Sequence, residues 1–470
     1  MTQTTARRSV EEHRSLIGEA LQTATTARAV EAVAVGEAEA VGRVVAAEVT
    51  APGPLPGHDD SQMDGYAVRA ADVAAALAEH DGDDVARLPC DGVVPAGSSP
   101  GPLPPGTCRA IMTGAVVPEG ADLILPVEKT AAGAFAGAEQ LRAAAGEDVV
   151  FTGLTPQDVA VGRFIRRAGD DVAAGETVLT LGQVLTPARL GLAAACGAPR
   201  VQVFARLRAL VLTAGDELRA PDEELAPGQI HDANAPLIAA WLREAGCGVT
   251  TAAASTDDVA RFAAALDAQL AATSPQLVVT SGGISAGAFE VVREVLSARG
   301  VRFGPVAQQP GGPQGVGVLS GGPGTRSVAG EHSPAGGEAG VVAVVCLPGN
   351  PVSTAVSLET LLREPLAAVD PACPAPRRIR ARLRQSCSSP SGLRQHRRVR
   401  LAGAPDGAGV VDVELVGGPG SHLLGHLARA EALLQLTEDD VEVPADTVRE
   451  AVLLPGTAAP DPPAGRTEHL

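Results

Sequence analysis

LVVTSGGISAG, residues 277–287, changes character at its midpoint: an apolar β-type run through Thr280 meets a turn of serine and glycine, and a helical pattern follows over 288–297. The same succession occurs twice more. Residues 207–213 run into AGDEL, and 341–346 run into LPGNPVST (347–354) and a helix reaching about 362. Repeated strand–turn–helix units predict a mostly parallel sheet with helices on both faces, covering 186–366. Between them, Asn234 reads as the N-cap of a helix that turns Leu237, Trp241 and Leu242 inward and closes at Gly246. Val259, Phe262 and Leu266 mark another amphipathic helix.

Open parallel sheets bind ligands beyond the carboxyl ends of their strands, where all three turns fall. Gly282 and Gly283 let backbone N–H groups approach a ligand, Ser281 and Ser285 offer hydroxyls, and the helix that follows adds a positive end. In LPGNPVST, Pro348, Gly349 and Asn350 turn the chain, Pro351 suits a first helical turn, and Ser353 and Thr354 are expected to face the ligand. Each turn alone also reads as a tight connection with an N-cap; two at equivalent strand ends point to an anion. No Gly-Lys-Ser/Thr occurs, so this is not a P-loop. Asp216 and Glu217 follow the first strand end. They read either as a solvated loop or as ligands of Mg²⁺, which keeps waters and needs only one or two protein carboxylates beside a phosphate.

Outward from this unit the texture changes. Ser9-Val-Glu-Glu12 forms a capping box for a helix over 9–22. Residues 43–130 are short apolar runs broken by proline and glycine, a β-rich module with many turns. Within it HDDSQMDGYAV (58–68) holds Asp59, Asp60 and Asp64, and RAIMTGAVVPEGAD (109–122) holds Thr113 and Gly114 in a glycine turn; alone, each is also an ordinary polar turn. Residues 131–147 read as a loop and 317–340 as a flexible surface insertion. Short β-type runs return over 375–455 as a small C-terminal barrel or sheet, and the last residues read as a disordered tail. The organisation expected is a linking unit from 9–54 and 154–185, the β module at 55–153, the α/β unit at 186–366, the barrel at 367–456 and the tail at 457–470.

At 470 residues the chain is long enough for three or four compact units, and 45% apolar content supports sizeable cores. The net charge of −18 argues against nucleic acid and anionic membrane as partners. Alternating arginines at 378, 380, 382 and 384 read as the solvated face of a strand. Lys129 is the only lysine. Seven dispersed cysteines show neither zinc spacing nor a disulfide framework, and no signal peptide or membrane span is visible, which makes the cytoplasm the expected location.

In order, these segments resemble the molybdopterin molybdenumtransferase family, whose eukaryotic relatives include the C-terminal domain of gephyrin. HDDSQMDGYAV is similar to its D-N-S-x-M-D-G-Y-A block, and residues 95–128 to its A-G-x…M-T-G-A-x-x-P-x-G-A-D block. Residues 166–197 match R-x-x-G-x-D-x-x-x-G…L-x-P-x-x-x-G-L-A-x-x-G. TAGDEL, GQIHDANAP, TSGGISAG, LPGNPVST and GPGSHLLGHLARAEALLQL complete a series running from about residue 9 to 455. The resemblance implies four domains, a homodimer, and a site shared between the α/β unit of one subunit and the acidic module of the other. The implied reaction joins molybdate to adenylyl-molybdopterin with Mg²⁺, releasing AMP and the molybdenum cofactor. It implies Asp59, Asp64, Thr113, Asp171, Asp216 and Glu217 as the acidic and hydroxyl site, with Asp216 and Glu217 on metal. Ser281, Gly282, Gly283, Ser285, Pro348, Gly349, Asn350 and Ser353 would cradle the ligand. The molybdopterin-adenylating enzyme or molybdoenzymes are implied as partners.

The sequence departs from the family's K-P-G-K-P, with Gln309 and Gly312 at the lysine positions. Gln276 replaces an Asp, Ala214 a Thr, and Ala430-Glu431-Ala432-Leu433 stands for A-N-G-L. Three readings follow: a working transferase, a weakened paralogue acting as a pterin-binding adaptor in cofactor delivery, and an unrelated nucleotide-binding transferase.

Overall fold

A computed structural model describes residues 7–26, 28–79, 84–135, 145–254, 256, 258–284, 290–320 and 340–458. Six strands form the central sheet: β1 (Arg208–Ala214), β2 (Gly248–Ala254), β3 (Leu277–Ser281), β4 (Arg302–Pro305), β5 (Pro313–Ser320) and β6 (Val341–Leu347). Their order is β2-β1-β3-β6-β5-β4. The first four are mutually parallel, while β5 runs antiparallel to β6 and β4. Strand alternation splits the interior in two. Ala209, Val211, Leu277, Val279, Ala343 and Val345 face one core, shared with Ile238, Trp241 and Leu242. Leu210, Leu212, Val278, Val344 and Cys346 face the other, under Phe262, Leu266 and Val292. Both faces are covered, which is why these strands read as continuous apolar runs.

The helix Val10–Thr25 starts on the expected capping box: the Ser9 hydroxyl accepts from the Glu12 N–H at 3.0 Å, and the Glu12 carboxylate accepts from the Ser9 N–H at 2.7 Å. Its Val10, Ile17 and Leu21 pack into the first core of the central sheet. Elsewhere, Val30–Ala34 pairs antiparallel with Arg200–Phe204. The β module is a five-stranded sheet ordered Leu123–Pro126, Gly65–Val68, Cys108–Ile111, Val85–Val94, Asp148–Thr152. Lys129, just beyond its edge strand, donates to Asp158 at 3.0 Å and to the Gly153 carbonyl at 3.1 Å. At the C-terminal end, Arg378–Leu383, Arg394–Leu401, Val410–Leu415, Ala432–Leu436 and Val448–Leu453 close into a five-stranded barrel, each strand bonded to two others. Arg378, Arg380 and Arg382 lie on its outer side among Glu364, Glu450, Asp406 and Asp412, the solvated face that their spacing predicts.

Four local expectations need correction. Asn234 is the first residue of its helix, Asn234–Glu244; the acceptor that caps it is the Asp232 carboxylate, which takes the N–H groups of Asn234 (2.8 Å) and Ala235 (3.0 Å). Val259 begins its helix but stays exposed, leaving Phe262, Leu266 and Leu270 as the inward residues. Residues 317–320 are not part of an insertion; they pair with 341–344 as the end of β5. Glycine hides this strand in the sequence, because Cβ atoms on Gly315 and Gly317 would fall 2.4 Å from the Phe303 ring and 2.9 Å from the Val301 Cα. Thr354 does not face a ligand, as shown below. Residues 321–339, 136–144 within the predicted loop, and the tail from 459 lie outside the described residues.

Among the described residues, two histidines are buried without a hydrogen-bond partner for either ring nitrogen: His13 on the first helix and His396 in the barrel. Burial, with Arg8 beside His13 and with Arg14 and Arg394 beside His396, lowers both to about 3. The unfolded chain takes up these protons below the ordinary histidine range near pH 6.5, whereas the folded chain refuses them until about pH 3. The stability they contribute is therefore complete above about 6.5 and is lost as pH falls, at roughly 1.4 kcal/mol per pH unit per histidine. Urea titrations from pH 7.5 to 5 should show this slope, and His396→Phe should remove about half of it; an unchanged slope in the variant would remove His396 from the account.

Candidate functional site

The ends of β1, β3 and β6 are aligned by register: Thr213 lies opposite Ser281, and Ser281 opposite Leu347. The three turns therefore leave the sheet at one level, and glycine lets them close on each other. Gly282 has φ +90°, and a Cβ there would lie 2.7 Å from the Ala214 carbonyl oxygen. A Cβ on Gly349 would come within 3.3 Å of the Gly282 Cα. Between the turns is a cleft of about 460 Å³ lined by Gly215, Glu217, Gly282, Gly283, Pro313 and Gly349. Its third wall is fixed by side chains. Asn350 caps the helix Pro351–Ser357, accepting from the N–H of Val352 at 3.1 Å. Asn234 donates to the Gly349 carbonyl at 2.6 Å.

Two of the four hydroxyls expected to face a ligand are used internally. Ser281 and Thr354 both donate to the Pro348 carbonyl, at 3.0 and 2.6 Å, and both are buried. They hold the third turn against the second. Ser353 is buried in the first turn of its helix. Ser285 lies outside the described residues.

Asp216 and Glu217 diverge. Glu217 lines the glycine cleft, with its carboxylate folded over Gly215, where a Cβ would stand 2.4 Å from its Oε2. Asp216 lines a separate cavity of about 860 Å³ on the β2 side, together with Thr213, Arg219, Glu223 and Asp232. Asp232, not singled out in the sequence, organises that side: beyond capping the helix it accepts from the Thr213 hydroxyl at 2.7 Å. The signal was available, since an Asp two residues before a helical pattern is a ready acceptor for the first free N–H groups. Among the described residues no group of three or more His, Cys, Asp or Glu side chains is gathered for a metal. Mg²⁺ held largely by water and substrate phosphates does not require one: one or two carboxylates suffice, and the cleft is lined by two, Glu217 and Glu290.

In the β module, Asp64 and Thr113 come together as expected: one Asp64 oxygen accepts both the N–H and the hydroxyl of Thr113, each at 2.8 Å. Gly65 is required there, because a Cβ would sit 2.2 Å from the Leu125 carbonyl oxygen. Asp59 instead accepts from the Ala168 N–H at 2.9 Å and the Arg167 guanidinium at 2.5 Å. The backbone N–H first, and then the guanidinium, hold its carboxyl below the usual range. Asp171 is exposed, fixed through its own N–H to the Leu55 carbonyl at 3.0 Å. Among the described residues no hydrogen bond or ion pair joins this module to the glycine cleft. Of the two neutral positions in QPGGP, Gln309 is turned to the barrel, accepting from Gln395 at 2.5 Å. Gly312 stands beside the cleft-lining Pro313, and a Cβ on it would meet nothing closer than 3.8 Å.

An α/β sheet carrying glycine turns at three aligned strand ends, set between a β-rich module and a closed barrel, defines a multidomain protein of the α/β class with a cleft walled by backbone turns. Three family models match consecutive parts of the chain: the MoeA N-terminal region (domains I and II) over 8–197, a "probable molybdopterin binding domain" over 210–368, and the MoeA C-terminal region (domain IV) over 380–454. Molybdopterin molybdenumtransferase 2 of Mycobacterium tuberculosis is 42% identical over 452 residues, 94% of this chain and 98% of the relative. Molybdopterin molybdenumtransferase 1 of the same organism is 33% identical over 91% of this chain and 94% of its own length. The crystal structure of a molybdopterin biosynthesis MoeA protein from Pyrococcus horikoshii shares the fold, with a TM-score of 0.69 at 23% identity over 95% of this chain and 99% of that one. The chain belongs to the molybdopterin molybdenumtransferase (MoeA) family.

Proposed function

We propose that this protein is a molybdopterin molybdenumtransferase that joins molybdate to adenylyl-molybdopterin and releases AMP and the molybdenum cofactor. The observation that carries the reading is the cleft at the aligned ends of β1, β3 and β6. Its walls are backbone turns, its volume suits a phosphorylated group, and two carboxylates, Glu217 and Glu290, line it. The named relatives are transferases, and nothing in the site favours an adaptor over an enzyme.

In this reading the turns at Gly282–Gly283 and Gly349–Asn350 bind the pyrophosphate of the substrate through backbone N–H groups, and the capped helix behind Asn350 adds a positive end. Glu217 would hold Mg²⁺, which would supply charge neutralisation at the phosphates. Asp232 and Asn234 keep the first and third turns in place. In this reading Asp59, Asp64, Thr113 and Asp171, which make no hydrogen bond or ion pair to the cleft among the described residues, act on the substrate of a second copy in a homodimer. The cytoplasm is the proposed location, with the molybdopterin-adenylating enzyme upstream and molybdoenzymes downstream. The assay is purified protein with adenylyl-molybdopterin, molybdate and Mg²⁺. AMP release with formation of active cofactor is expected; tight binding of substrate with no AMP would sink the enzyme in favour of the adaptor.

Gly312→Lys tests the missing lysine. The position has ordinary φ, and a Cβ there would make only ordinary contacts, with the Val306 and Gln308 carbonyls at 3.8 and 3.9 Å, so a side chain fits without moving backbone. A charge-assisted hydrogen bond to an anion is worth roughly 1.5–3 kcal/mol, so kcat/KM for AMP release should rise about tenfold or more, with the melting temperature unchanged. No gain would show that this protein binds its anion without a cation at this position.

A further inference from the structure

The β module contains a feature that the transfer reaction does not use. Cys90, in Val85–Val94, stands opposite Cys108, the first residue of Cys108–Ile111, where the two strands run side by side. Both side chains enter the same apolar cluster, with Tyr66 and Phe151, so the thiols share one face of the sheet. Neighbouring strands lie about 4.8 Å apart, within the roughly 4.4–6.8 Å between Cα atoms that a disulfide bridges. The ladder shifts register between Cys90 and Val93, and Gly92 there has φ +95°, so the backbone beside Cys90 is not locked into a regular ladder.

We propose that Cys90 and Cys108 are a dithiol modification site, oxidised to an internal disulfide by a two-electron oxidant of the hydroperoxide class. The Cys90 thiolate attacks the peroxide oxygen, breaking the O–O bond; one water leaves and a sulfenic acid remains. The Cys108 sulfur then displaces the hydroxyl group from Cys90 as a second water, forming the S–S bond. Two thiols and one hydrogen peroxide give one disulfide and two waters, the sulfurs losing the two electrons that the peroxide oxygens gain. Both thiols are buried, with Cys90 donating to the Gly92 carbonyl at 3.4 Å and Cys108 to the Leu88 carbonyl at 3.6 Å; turning the Cys108 thiol onto the Cys90 sulfur lowers Cys90, which suits it to attack first, and raises Cys108. At Cys247, Cys346 and Cys373 burial is the largest influence and pushes the thiols up to about 12, leaving them unreactive.

The experiment uses the full, reduced chain, treated with hydrogen peroxide, quenched, alkylated under denaturing conditions and weighed intact. Of the seven cysteines, all but Cys90 and Cys108 should take up alkylating agent, the missing pair should return with dithiothreitol, and digestion should yield a peptide linking Cys90 to Cys108. In Cys108→Ser, Cys90 should instead gain oxygen as sulfenic or sulfinic acid. Full alkylation after peroxide would overturn the proposal, as would a link between another pair such as Cys247 and Cys373. Peptide mapping of the unsubstituted chain keeps the test valid even if the serine variant fails to fold.

Discussion

Gly282→Ala is expected to reduce kcat/KM for AMP release by about a hundredfold while leaving a folded protein. The backbone at Gly282 has φ +90°, a conformation that costs a side-chain-bearing residue roughly 1–2 kcal/mol. The added methyl would also stand 2.7 Å from the carbonyl oxygen of Ala214, a backbone atom at the buried end of β1. Neither strand end can retreat, because β1 and β3 are parallel neighbours in the middle of the sheet, so the turn itself must move. Gly349 packs on its other side, and the displacement passes directly into the cleft. A shift of about 1 Å in a binding constellation is enough for a hundredfold loss. Circular dichroism at the assay temperature separates this from unfolding. Wild-type activity in a folded Gly282→Ala would remove the cleft from the reaction.

Glu217→Gln should have an effect of similar or greater size, with a distinct signature. The substitution keeps shape and removes the negative charge over Gly215, so the fold should be unaffected. If Glu217 holds Mg²⁺, kcat/KM falls by roughly a hundred- to a thousandfold, the scale on which losing one electrostatic contact to the transition state acts. The Mg²⁺ concentration for half activity should rise at least tenfold. Asp216→Asn should move that concentration much less, since Asp216 lines the neighbouring cavity. Equal shifts in the two variants would mean that both carboxylates reach one ion and that the separation of the cavities is lost when substrate binds.

The elements that were legible in the sequence are those whose signal is local. Three apolar runs ending in glycine announced β1, β3 and β6; Ser9 and Glu12 announced a capping box; alternating arginines announced an exposed barrel strand. Direction was harder to read. Ser281 and Thr354 carry the hydroxyls a ligand site needs, but both point to the Pro348 carbonyl, which only the packing of one turn on another decides. Asp216 and Glu217 are adjacent, which suggests a shared ion, yet the turn that carries them sends one to each of two cavities. The end of β5 was invisible because Gly315 and Gly317 are chosen for the close approach of Phe303 and Val301, a constraint from elsewhere in the chain. The cap made by Asp232 is local and readable, whereas its bond to Thr213 joins two separate elements and is not.

Lys129 gives the molecule an unusual chemical handle. It is the sole lysine in the chain, set just past the edge of the β module and anchored to Asp158, with no bond to the glycine cleft. Amine-directed reagents such as succinimidyl esters therefore have one internal target. A dye or surface linker attached there would leave the backbone turns, Glu217 and every cysteine chemically untouched. Fluorescence binding measurements on the cleft and thiol labelling in the module can then be made on the same labelled molecule.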